Sequence, residues 1–163
     1  MDEGDLTPLM ILATSLAYVI AADGVVRAKE KEMMRGLLEK HVVSGKLKPE
    51  QFKKILKRAL DLVATMKIDA FLEESVPMLT YAQKLSTLTH MYEALLADGS
   101  AQKGEVLVIR KFANTFKVTK EEMYALKDVV TLTSDTWLFF DPEHPYNDPE
   151  YRLNEPRLKK KHR

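Results

Sequence analysis

The residues best suited to chemistry come in two copies of one phrase. Ala22-Asp23-Gly24 is followed by Glu30, and Ala97-Asp98-Gly99 is followed by Glu105. The offset is the same for both acids, since 98 minus 23 and 105 minus 30 each give 75. Carboxylates at the two ends of a glycine bend are candidate ligands for a divalent cation. In an EF-hand loop, Gly takes position six and a bidentate Glu position twelve. Asp23, Gly24 and Glu30 fit positions five, six and twelve, as do Asp98, Gly99 and Glu105. Positions one and three would be Val19 and Ala21 in one copy and Ala94 and Leu96 in the other, none of which offers a side-chain oxygen. Calcium takes six to eight oxygens, so neither loop alone is an EF-hand. Asp23, Glu30, Asp98 and Glu105 could hold one ion only by converging from both loops.

The same residues also have a purely structural reading. Glycine reverses the chain at no steric cost. Aspartate accepts backbone N–H groups in the turn. A glutamate in the first turn of the next helix is favoured by the helix dipole, by about 0.3–1 kcal/mol when exposed. Both readings stand at this stage.

Other motifs nominate no catalyst. The absence of cysteine excludes disulfides, thiolate metal sites and cysteine nucleophiles. His41, His90, His144 and His162 include no pair at i, i+4, and there is no His-Glu-x-x-His. His90 and Glu93 share one helical face but have no further ligand beside them, and each histidine reads as surface or core edge. Gly99 and Gly104 begin a phosphate-loop pattern, but Glu105-Val106 stands where Lys-Ser/Thr is required. No nucleophile-elbow sequence occurs. The methionines fall mostly at helical spacing and read as core.

The two loops need helices on either side, and the sequence supplies them. Thr7-Pro8 starts a helix whose apolar stripe is Leu9, Leu12, Ala13, Leu16 and Ile20. A second begins near Ala28, with Met33, Met34, Leu37, Leu38 and His41 inward, and breaks at Gly45. Pro49 opens a third, carrying Phe52, Ile55, Leu56, Ala59, Leu62 and Val63. Asp69 is expected to cap a short fourth that stops before Pro77. Thr80 and Gln83 form a capping box ahead of a stripe of Tyr81, Leu85, Leu88, Tyr92, Leu95 and Leu96. The sixth runs from Lys103 to Phe116 with Val106, Ile109, Ala113 and Phe116 inward. Thr119 and Glu122 box the seventh, which carries Met123, Leu126 and Val130. No stretch alternates with period two. The expected fold is all-α: a compact bundle of about seven helices with an internal helix-loop-helix duplication and an irregular C-terminal tail.

The composition changes near Thr133, which divides the chain into a helical domain over 1–132 and a tail over 133–163. Pro142, Pro145, Pro149 and Pro156 forbid a long helix in the tail. Trp137, Leu138, Phe139 and Phe140 are costly to leave in water. They are expected to strap across the body, with docking on a partner as the other reading. Arg157, Lys159, Lys160, Lys161 and Arg163 end the chain as a basic cluster. The net charge is +1, with 25 basic and 24 acidic residues, so without those five positives the body stands at −4. Such a run reads as a solvated tail, and no nucleic-acid partner is expected. The apolar stretch from Leu9 to Ala22 is too short to span a bilayer and follows acids rather than bases. A cytoplasmic location is expected.

The doubled Ala-Asp-Gly, each with Glu seven residues after its Asp, resembles the TerB-like domain of tellurite-resistance proteins and of a membrane-anchored co-chaperone. The resemblance covers roughly Leu6 to Thr131. It implies an all-helical cytoplasmic protein tied to tellurite and general stress resistance. Such a protein works through contacts with other proteins near a membrane complex, and its paired acids are suspected of holding an ion. That suspicion falls on Asp23, Glu30, Asp98 and Glu105. Two features depart from the family pattern. Arg27-Ala28 and Gln102-Lys103 stand where members place Ser or Thr followed by Pro. Lys29 and Gly104 stand where a second acid is common.

The leading expectation is therefore a non-enzymatic interaction or scaffold protein with protein partners and no resident cofactor. The second is a divalent-cation sensor built on the two Asp-Gly-x5-Glu loops. The third, a metal-dependent hydrolase on the same carboxylates, has no general base or nucleophile placed beside them.

Overall fold

The computed structural model describes residues 6–22, 26–97 and 103–153. The first helix, α1 (Pro8–Ile20), begins as its sequence requires: Pro8 occupies the first turn and the Thr7 hydroxyl accepts the Met10 N–H at 3.2 Å. Every residue from Met10 to Ile20 is buried, so α1 is enclosed on all sides rather than along the one expected stripe. The two polar residues this encloses satisfy themselves locally. The Thr14 hydroxyl donates to the Met10 carbonyl at 2.7 Å, and that of Ser15 to the Ile11 carbonyl at 2.6 Å.

The rest of the bundle is arranged around α1. The segment α2 (Ala28–Leu38) buries Met34 and Leu38, and a single further turn, α3 (Lys40–Val43), carries His41. Gly45, at φ +78°, then reverses the chain. The helix α4 (Pro49–Thr65) starts with the Gln51 side chain accepting the Lys48 N–H at 3.0 Å, and buries Phe52, Ala59 and Leu62. In α5 (Ile68–Ser75), Lys67 occupies the cap position and Asp69 lies within the first turn. Asp69 is thus not the cap expected of it. Caps and first turns both favour an acid, and the sequence did not separate the two. Asp69 instead meets the Lys111 ammonium at 2.6 Å.

The second half repeats the first. Its members are α6 (Tyr81–Ala97), α7 (Lys103–Phe116) and α8 (Lys120–Ser134). The helices α2 and α7 start at Ala28 and Lys103, the same 75-residue separation as the acids. In the pairs α1–α4 and α6–α8 equivalent helices pack together, and α1 lies against α6 at the joint. The expected boxes form: the Gln83 side chain accepts the Thr80 N–H at 2.9 Å, and the Glu122 N–H donates to the Thr119 hydroxyl at 3.2 Å. The buried face of α6 is Leu88, Met91, Ala94 and Leu95, leaving Tyr81 exposed. The rings of Phe71 and Phe112, both fully buried, lie 6.2 Å apart, with Tyr18 5.3 Å from Phe71. No strand occurs among the described residues.

Candidate functional site

Of the four carboxylates, two are placed. Glu30 and Glu105 lie in the first turns of α2 and α7. Asp23 and Asp98, with Gly24 and Gly99, lie outside the described residues. Glu30 accepts the Arg27 backbone N–H at 3.2 Å and lies 3.3 Å from the Arg27 guanidinium. This is half a capping box, because the guanidinium at the cap has no acceptor to return the bond. Glu105 is buried and partnered.

The described residues that border the two loops meet at one point. A Cβ placed on Gly104 would lie 3.5 Å from the Ala22 carbonyl oxygen and 3.7 Å from its Cβ. The first turn of α7 therefore rests on the end of α1. A side chain at position 104 would be directed at this contact. The EF-hand comparison fails in space as it does in sequence: Val19 is buried in α1, and Ala94 is buried in α6. Among the described residues no three His, Asp or Glu side chains stand close enough to share a metal ion.

The tail forms a second surface. Turns of 3₁₀ helix span Thr136–Phe139 and Pro145–Asn147. Asp135 accepts the Trp137 N–H at 3.0 Å, and its other oxygen lies 3.0 Å from His144 Nε2. That histidine contact holds the Asp135 carboxyl below the usual carboxylate range. The Tyr146 hydroxyl donates to buried Asp128 of α8 at 2.6 Å, and its ring stacks on Tyr151 at 4.5 Å. Burial raises the Tyr146 phenol. The segment that crosses the body is therefore the Tyr146 turn, and the expected strap is corrected on this point. Trp137, Phe139 and Phe140 remain 60%, 86% and 78% exposed. They form an aromatic shelf on the 3₁₀ turn that follows α8, and Val129 and Leu132 of α8 are exposed as well. The sequence signalled the aromatic run but not its orientation, which the Asp135 and Tyr146 anchors set.

No helix among the described residues is long and apolar enough to cross a membrane. A family model described as tellurite resistance protein TerB matches residues 10–128, from α1 into α8, and includes both loops but not the tail. No curated protein and no solved structure matches the chain.

Proposed function

Because the chain belongs to the tellurite resistance protein TerB family, we propose that it acts without catalysis, as an interaction module in tellurite or general stress resistance whose partner is a protein of a membrane-associated complex. The observation that carries this reading is the shelf of Trp137, Phe139 and Phe140, held out from the body by a folded turn. Large aromatics at the centre of a contact supply much of the binding energy of protein interfaces. Asp141, Glu143, Asp148 and Glu150 follow the aromatics closely in sequence, and acids beside an apolar contact favour a basic protein surface over an anionic lipid one.

The test is a tellurite challenge of cells carrying the triple variant Trp137→Ala/Phe139→Ala/Phe140→Ala. The variant is expected to keep the parent's helical content and melting temperature, and to lose resistance together with capture of the partner. Full resistance in a folded variant refutes this reading.

A second reading is favoured by the approach of Gly104 to Ala22, which sets the start of α7 against the end of α1. Here a divalent cation binds Asp23, Glu30, Asp98 and Glu105. Calorimetric titration with calcium, magnesium, manganese and zinc tests it. No heat and no shift in melting temperature at millimolar ion dispose of it, and of the hydrolase reading with it.

A further inference from the structure

The 75-residue repeat equates Ser15 of α1 with His90 of α6. Both are buried and both bond back to the carbonyl four residues earlier, Ser15 to Ile11 and His90 Nδ1 to Ser86 at 2.7 Å. Serine is then satisfied. Histidine is not: a carbonyl only accepts, so Nδ1 carries the proton and Nε2 is left with a lone pair. His90 is 7% exposed, and Nε2 is buried without a hydrogen-bond partner. His41 of α3, whose counterpart in the repeat is buried Phe116, likewise has a buried Nε2 with no partner. The helix α2, which α3 continues, packs against α6, so the two histidines lie on elements that meet. Native structures rarely leave such atoms unpaired without a reason.

We propose that His41 and His90 form a proton-operated catch between the α2–α3 end and α6, closed while both rings are neutral and opened when they take up protons at Nε2. Each ring converts its lone pair into an N–H bond and gains a positive charge where no acceptor waits. From α3 the charge meets Lys40, which opposes it, and on α6 it meets Glu93, which offsets it in part. The uncharged helix α1 supplies no counter-ion. Burial presses both rings toward the neutral form most strongly and Lys40 adds to it; on His90 the Ser86 bond, next in size after burial, and Glu93 oppose it without reversing it. The neutral rings seal the seam, and opening it exposes them to water that accepts the new N–H groups.

Hydrogen exchange on the full chain at pH 7.5 and pH 5.0, expressed as protection corrected for the intrinsic rate, tests the proposal. Each proton taken up on opening is worth up to about ten-fold per pH unit. Protection over residues 34–45 is expected to fall about ten-fold or more, while α4 and α8 keep theirs. In His41→Gln/His90→Gln the difference should vanish. Should the double variant not fold, His41→Gln alone, at a half-buried position, should at least halve the logarithm of the change. A uniform loss across the fold overturns the proposal, as does a variant that keeps the pH response. Perturbation of both ring proton resonances by one equivalent of zinc at pH 7.5 also overturns it, because the free nitrogens would then serve an ion.

Discussion

The two halves of the bundle share a plan and differ in how they use it. Glu30 and Glu105 head equivalent helices, yet Glu30 is half-buried and tethered to Arg27 while Glu105 is buried. Ser15 and His90 occupy equivalent buried turns, yet only the histidine leaves a polar atom over. The first half contributes a helix that the whole bundle encloses, and the second presents an exposed tyrosine and, beyond α8, an aromatic shelf. Duplication supplied the scaffold twice, which freed one copy to change at positions where the other already held the core. The aromatic shelf accordingly lies beyond the second half, while the two buried histidines fall one in each half.

The sharpest way to break this comparison is at the joint. Leu16 and Met91 are repeat counterparts, both fully buried where α1 meets α6. Leu16→Ala and Met91→Ala should each cost about 2–5 kcal/mol, read by denaturant unfolding. If one costs much and the other almost nothing, the two halves do not share a core.

The next test is pH. His41 and His90 titrate below their ordinary value in the folded protein, through burial first and Lys40 in addition. The unfolded chain therefore binds more protons, and their contribution is complete above about pH 6.5 and is lost as pH falls through the depressed values. The melting temperature should drop between pH 7 and pH 5, with a slope of at most about 1.4 kcal/mol per pH unit for each proton. His90→Gln should flatten that slope. A melting curve indifferent to pH in this window would erase the distinction drawn between Ser15 and His90.

Much of this fold was legible because its signals are local. Thr7-Pro8, Thr80 with Gln83, and Thr119 with Glu122 each start a helix where the sequence placed it. The equal spacing of the acids gave the duplication, and the starts of α2 and α7 repeat it. What stayed hidden depends on distant contacts. The enclosure of α1 comes from helices of both halves, which no single stripe announces. The rotation of α6 that buries Met91 and exposes Tyr81 is set by α1 and α8. His41 and His90 lie 49 positions apart (90 minus 41) on different helices, so only folding brings them together. Of the candidate ion site, the sequence named four acids and the structure places Glu30 and Glu105.

The paired glutamates give the third test. Glu105→Gln alters a buried, partnered carboxylate, and a cost of about 1–3 kcal/mol is expected. Glu30→Gln removes a half-buried charge from a helix start, worth about 0.3–1 kcal/mol and reduced by salt. Equal, salt-sensitive costs in the two variants would mean that Glu105 is as solvated as Glu30.

The smallest effect is expected at Gly104, whose counterpart in the first half is Lys29. A Cβ there would meet Ala22 at 3.5 Å, an ordinary van der Waals distance. Alanine also gives up less backbone entropy than glycine in a helix, an advantage of about 0.5–1 kcal/mol at an interior position and smaller in a first turn. Gly104→Ala should therefore leave stability unchanged or raise it by a few tenths of a kcal/mol. Because the new methyl lies on the contact between the start of α7 and the end of α1, this near-neutral substitution measures how closely the two helices approach. A loss of more than about 1 kcal/mol would signal overpacking and place the start of α7 closer to the end of α1 than the present geometry allows.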